Sequence, residues 1–185
     1  MGEWPDYALP CSPILTPFSP ESLGNDLNGI SSGSVAGCAS STLTQNKAII
    51  IPFRLTTFET AYQLLWYVGA TSNGNIDIGI YDSQKNRIVS AGGVAMSATT
   101  NTVQEINITD TVLPPGEYML AAVTDSATGT IFAFNPPTAD ELVLSLIGLY
   151  EQATAYTLPD PLVPVLSTVS VGVIPLVGIQ LRSVF

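Results

Sequence analysis

Short alternating runs in the middle of the chain constrain its fold more than any other feature. The clearest run covers residues 75–81, where Ile76, Ile78 and Ile80 alternate with smaller or polar residues. Period-two alternation predicts a β-strand with these isoleucines buried together on one face. The polar turn at residues 82–86 predicts a hairpin to the next strand. The same criteria predict strands at 48–55, 62–68, 87–91, 104–109, 119–124 and 130–134.

Short strands separated by Gly, Pro and Asn turns indicate an all-β, antiparallel β-sandwich or jelly roll. The apolar stretch at residues 162–181 is also predicted to be extended, because Pro164 and Pro175 interrupt it and β-branched residues alternate with small ones. This pattern argues against a membrane span. One short helix is predicted over residues 138–149, where an N-cap residue and acidic residues precede a stripe of leucines.

The first 45 residues are predicted to form an extended, Pro-rich arm, and residues 46–185 the sandwich domain. Five prolines before residue 21 forbid a continuous helix. Residues 31–44 are small and predict a turn-like loop. The arm also holds apolar residues that a disordered linker would lack, so it is expected to pack on its own domain or on a neighbour. The candidate interface residues are Trp4, Tyr7, Leu9, Ile14, Leu15 and Phe18.

The composition also bears on the partners of the chain. Only 11% of the residues are charged, whereas 46% are hydrophobic. Either neighbouring subunits cover much of the surface, or neutral polar side chains solvate it. The net charge is −10, and the five basic residues are scattered along the sequence. A nucleic-acid partner or an anionic membrane surface is therefore not expected.

Nothing in the sequence predicts a metal, a cofactor or a catalytic residue. The chain contains no histidine, which removes Ser-His-Asp and Cys-His nucleophiles and most zinc, copper and iron sites. No glycine-rich phosphate loop is present. Cys11 and Cys38 are expected to be free thiols, and the alternative is one disulfide within the arm.

Four carboxylates are the remaining candidates for chemistry. A pair drawn from Asp77, Asp82, Glu105 and Glu117 would be needed for glycoside hydrolysis. The preferred interpretation makes Asp77 a solvated residue on a strand face and Asp82 the first residue of an Asx turn. A calcium site formed by Asp77, Asp82 and Asn86 is a further alternative, although the loop contains a lysine and is no EF-hand.

The aromatic residues divide between core and surface. Trp66 falls on the apolar phase of its strand and is predicted to be core. Tyr67 and Tyr81 fall on the opposite phase and are predicted to be surface contacts. A role in a protein interface is favoured over glycan stacking for these two tyrosines.

Several motifs resemble a jelly-roll module found in virion proteins of tailed bacteriophages. They lie at residues 63–69, 74–82, 86–89 and 107–118, and the resemblance covers about residues 47–134. In such modules a GNxDxGIYD motif forms a central hairpin and an LxPGxY motif leads into the next strand. The resemblance implies a virion setting and a homo-oligomer, most often a trimer. No catalytic residue carries over.

The leading hypothesis is therefore a non-enzymatic capsid decoration or cement protein that stabilises the head by contacts between subunits. Its expected partners are copies of itself, as a homotrimer, and the major capsid or tail protein of the same particle. Its expected location is the virion, after synthesis in the host cytoplasm. One alternative is a tail-fibre or receptor-binding module that holds a host glycan, and another is a carbohydrate-active enzyme.

Overall fold

The computed structural model describes residues 14–15, 38–134, 150–166 and 174–183 of the 185-residue chain. Every regular element in these ranges is a strand, which confirms the all-β prediction there. The predicted helix at residues 138–149 lies outside the described residues. In chain order the strands are β1 (Ile14–Leu15), β2 (Cys38–Thr42), β3 (Ala48–Leu55), β4 (Glu59–Val68), β5 (Asn75–Asp82), β6 (Arg87–Ser90), β7 (Val94–Ala95), β8 (Thr102–Leu113), β9 (Gly116–Thr124), β10 (Thr130–Phe134), β11 (Tyr150–Gln152), β12 (Val165–Leu166), β13 (Ile174–Pro175) and β14 (Val177–Ser183).

The strands form two antiparallel sheets. Sheet A has the order β1-β14-β4-β10-β13, with β2 paired to β10 and β8 paired to β4. Sheet B has the order β12-β11-β3-β9-β5-β6, with β7 paired to β5. The predicted hairpin from β5 to β6 is confirmed by the pairing of Ile80 with Val89.

One hydrophobic core lies between the two sheets. Leu64 and Trp66 of sheet A share a buried cluster with Ile76, Ile78 and Ile80 of sheet B, and all five side chains are 0% exposed. The predicted burial of the three isoleucines and of Trp66 is therefore confirmed. Because each sheet contributes one face to the same core, the sheets pack face to face as in a sandwich.

Strand β2 corrects the prediction of a loop at residues 31–44. Its backbone pairs with β10 in a continuous register from Thr42 opposite Thr130 to Cys38 opposite Phe134. Small polar residues have low β-propensity, but pairing with a neighbouring strand overrides this preference. Sheet A therefore begins before residue 46, inside the predicted arm. The division into an arm and a domain otherwise stays a prediction.

The outer face of sheet B is covered by residues 153–164, which connect β11 to β12 and are called the strap below. Ala155, Leu158 and Leu162 of the strap are buried in a second apolar cluster with Ile50 and Tyr81 of the sheet. The strand β5 is consequently buried on both faces. A half-solvated antiparallel sheet would expose one of these faces.

Candidate functional site

A buried acidic side chain lies beneath the strap. The carboxylate of Asp77 on β5 is 0% exposed. It accepts a hydrogen bond from the Gly92 N–H at 2.9 Å and another from the Leu158 N–H at 3.1 Å. The prediction that Asp77 is a solvated residue is wrong, because the strap excludes water from this face of the strand.

Leu158 is held through both of its backbone groups. Its N–H donates to Asp77, and its carbonyl oxygen accepts a hydrogen bond from Arg87 Nη1 at 2.8 Å. The Tyr81 hydroxyl donates to the next carbonyl, that of Pro159, at 2.7 Å. The side chains of Asp77, Tyr81 and Arg87 together form what we call the strap anchor.

Burial dominates the electrostatics of the strap anchor. Burial raises the pKa of Asp77, while backbone hydrogen bonds from Gly92, Leu158 and Gly93 and the charge of Arg87 oppose the rise. Burial also raises the pKa of Tyr81 far above its usual value. The Tyr81 hydroxyl is therefore a fixed hydrogen-bond donor over the ordinary pH range.

Two glycines allow the strap to lie close to the sheet. A Cβ atom on Gly79 would stand 3.1 Å from Leu158 Cδ1 and 3.2 Å from the backbone oxygen of Val89. Gly93 has a φ of +76°, and a Cβ atom there would lie 2.8 Å from the Tyr156 hydroxyl. Larger residues at either position would push against the strap.

The two tyrosines predicted as surface contacts are both buried. Tyr81 is 0% exposed beneath the strap, and Tyr67 is 4% exposed on the outer side of sheet A. The ring of Tyr67 packs on Phe132 with a centroid distance of 4.5 Å, and its hydroxyl donates to the backbone oxygen of Asn101 at 2.9 Å. The prediction that these tyrosines are exposed is therefore wrong. The prediction that each lies on the opposite face of its strand from the apolar core residues is confirmed.

Asp82 behaves as the sequence predicts. It accepts hydrogen bonds from the Asn86 backbone N–H at 2.9 Å and from Asn86 Nδ2 at 3.1 Å, as in an Asx turn. Asp82 is five positions after Asp77 on an extended strand, so their Cα atoms are about 16 Å apart. That distance is too long for a glycosidase pair at about 5–9.5 Å. It is also too long for both carboxylates to ligate one calcium ion.

The other two carboxylates lie in different sheets. Glu105 on β8 accepts a hydrogen bond from Gln180 Nε2 at 3.1 Å, whereas Glu117 on β9 forms an exposed ion pair with Arg54 at 3.4 Å. The structure brings neither residue to Asp77. In the described ranges, no three or more His, Cys, Asp or Glu residues are grouped to hold a metal ion.

The predicted arm interface is mostly beyond the described ranges. Trp4, Tyr7, Leu9 and Phe18 lie outside them, as does Cys11. The backbone of Ile14 pairs with Ile179, and that of Leu15 with Gly178, both in β14 of the same chain. The state of the two cysteines stays a prediction. No helix in the part of the chain that the structure describes is long and apolar enough to cross a membrane.

Sequence reasoning did not find the strap anchor. The sequence contains one indication of it. On the face of β5 opposite the three isoleucines lie Gly79 and Tyr81, which are typical of a strand covered on both faces. The partner on the strap carries no such signal, because Leu158 takes part through its backbone.

No protein-family model, curated protein or solved structure matches this chain. The likeness to phage virion modules thus depends on the sequence motifs alone.

Proposed function

We propose that this chain is a non-enzymatic jelly-roll subunit of a larger assembly, and that it decorates the capsid of a tailed phage. A jelly roll has eight strands in two Greek keys, with sheet orders 1-8-3-6 and 2-7-4-5. Numbering β2, β3, β4, β5, β6, β8, β9 and β10 from one to eight, the pairings include β2-β10-β4-β8 and β3-β9-β5-β6. Strand β10 meets β4 at one residue pair, Ile131 with Val68, and β14 pairs with β4 along the rest of that edge. This agreement supports the jelly roll, a fold that virion and lectin domains share.

The observation that carries the assembly proposal is apolar exposure at two separate places. Phe58 is 54% exposed and Val112 is 55% exposed near the start of β4, where Val112 lies opposite Thr60. Val163, just before β12, is 69% exposed, and Val165, the first residue of β12, is 58% exposed at the edge of sheet B. Exposed apolar side chains at two places, in a chain with so few charges, favour coverage by neighbouring subunits.

The phage setting rests on the motif resemblance, and the trimer rests on it as well. In this proposal the arm lies along neighbouring subunits and contributes Trp4, Tyr7, Leu9 and Phe18 to the contacts. The exposed apolar pairs of the sandwich supply the remaining contact surface. Repeated contacts between identical copies usually close into cyclic symmetry.

A second candidate function is glycan binding, and one feature of sheet A favours it. Gln180, Gln63 and Asn107 lie directly opposite one another on three adjacent strands. Gln63 Nε2 donates to Asn107 Oδ1 at 2.6 Å. Each amide has more donor and acceptor positions than this contact uses, so the row has capacity for sugar hydroxyls.

The test compares two surface variants in assembly assays. Phe58→Ser with Val112→Ser removes one exposed apolar pair, and Arg54→Gln serves as the control because it changes an exposed position that is not apolar. Light scattering and co-sedimentation with particles should show weaker association for the double variant than for the parent protein. The control should associate as strongly as the parent protein. Equal association of all three proteins would contradict the proposal.

The glycan alternative is distinguished by a separate measurement. Gln63→Ala with Asn107→Ala should abolish binding to immobilised neutral oligosaccharides if the amide row is the binding surface. If the parent protein binds these oligosaccharides and the variant does not, the receptor-binding function is favoured over capsid decoration.

A further inference from the structure

The strap is hydrogen-bonded to the rest of the chain near its start, in its middle and near its end. Near its start the Ala155 N–H donates to the backbone oxygen of Asn46 at 2.8 Å, and near its end the Leu162 N–H donates to that of Lys85 at 2.9 Å. Between them Leu158 is held by Asp77 and Arg87. The Tyr81 hydroxyl holds Pro159, and the Arg87 backbone N–H donates to Asp160 Oδ1 at 2.9 Å. The bonds in the middle use the side chains of Asp77, Tyr81, Arg87 and Asp160, whereas those of Ala155 and Leu162 join backbone to backbone.

The strap has little buried surface of its own. Of its twelve residues, only Ala155, Leu158 and Leu162 are buried, and the others are exposed or half-buried. Strand β9 beneath it is fully buried from residue 120 to residue 124. Segments with few buried contacts open at a lower free energy than core strands. The strap is therefore expected to open before the sheet that it covers.

Asp77 selects one position for the strap. Its buried carboxylate requires hydrogen-bond donors, and Leu158 supplies one of them. A shift of one residue in one direction would place Pro159 over Asp77, and proline has no N–H to donate. A shift the other way would remove Leu158 and Leu162 from the apolar cluster that buries them.

We propose that the strap opens and closes on the outer face of sheet B as a unit of its own, with Asp77 as the latch that holds it closed. Closing seals Ile50, Tyr81, Ala121 and Val123 away from water. Opening would bare these apolar side chains together. The opening and closing of the strap are independent of the proposed role in a virion, since they depend only on contacts within one chain.

Hydrogen exchange on the full chain at neutral pH tests the latch. The parent protein is compared with Asp77→Asn and with Asp82→Asn, an acidic residue of the same strand that lies in an exposed turn. The informative amides are those of Ala155 and Leu162, because neither is bonded to Asp77. In Asp77→Asn both should exchange at least about ten-fold faster, as expected when a hydrogen bond to a charged group is lost. The amides of β9 should not change.

Two results would overturn the proposal. If only the Leu158 amide exchanges faster, the strap does not open as a unit. If the β9 amides accelerate as much as those of the strap, Asp77 supports the whole sandwich rather than a latch. Should Asp77→Asn fail to fold, Arg87→Met replaces it, because methionine has no N–H to donate to the Leu158 carbonyl. The same two criteria then decide the outcome.

Discussion

Asp77 and Leu158 are 81 positions apart in the sequence, yet the Leu158 N–H donates to Asp77 Oδ2 at 3.1 Å across the outer face of sheet B. The contact joins β5, the strand with the clearest alternation in the sequence, to the strap, which has no regular secondary structure. It also explains why an acidic residue is stable in a fully buried position. Two backbone donors, from Gly92 and Leu158, and the nearby Arg87 offset the cost of burying the carboxylate.

Replacing Asp77 by asparagine should destabilise the fold, although the sequence alone predicts a small loss for both Asp77→Asn and Asp82→Asn. The amide nitrogen of the new residue cannot accept a backbone N–H, so one buried donor loses its partner at a cost of about 1–3 kcal/mol. Asp82→Asn should cost less, because asparagine also forms Asx turns. Chemical denaturation measures both. Equal losses for the two variants would show that Asp77 has no special role.

The stability difference between the parent protein and Asp77→Asn should depend on pH. Burial raises the pKa of Asp77 in the folded chain. A carboxyl whose pKa is higher in the folded chain stabilises the fold when it is protonated. This contribution to stability is fully present below the unfolded-state pKa of about 3.9. That gain is lost as the pH rises through the folded-state pKa. The free energy of unfolding of the parent minus that of the variant should therefore fall with rising pH across this acid window, and a difference that rises instead would contradict the assignment.

Truncating the core should have a large effect. Ile78 is 0% exposed between the two sheets, so Ile78→Ala should cost about 2–5 kcal/mol. Thr56→Ala is the control, because Thr56 is exposed and a surface change costs within about 0.5 kcal/mol. Urea denaturation of both variants checks this pair. A core variant as stable as the control would mean that the assigned face of β5 is wrong.

Deleting residues 2–20 should leave the sandwich folded and weaken its association. The deletion removes β1, but β14 keeps its pairing with β4 from residue 177 to residue 183. It also removes the apolar residues that the proposal places between subunits, which are Trp4, Tyr7, Leu9 and Phe18. Circular dichroism checks the fold, and light scattering with particle co-sedimentation checks the association. Unchanged binding to particles would remove the arm from the assembly mechanism.

The fold was largely predictable because alternation reports which residues of a strand share a face. Ile76, Ile78 and Ile80 were assigned to the core in this way, and the Asx turn at Asp82 followed from its local sequence. Alternation does not report whether the second face meets water. Alternation alone therefore predicts that Asp77 and Tyr81 face solvent, since the covering strap begins more than seventy positions later and has no periodic pattern.

Two further misses have separate physical causes. Strand β2 consists of small and polar residues, and only its pairing with β10 makes it extended. The strap anchor depends on the backbone groups of Leu158, which are common to nearly every residue type. The pattern of side chains in the sequence therefore does not predict it.

The most direct test of the central claim is sedimentation equilibrium of the purified full-length protein, followed by co-sedimentation with the phage particle. A trimeric assembly subunit should sediment as a species of three times the chain mass of 19.4 kDa and also sediment with particles. A single species of 19.4 kDa at every concentration, without binding to particles, would contradict the proposal that this chain is an assembly subunit.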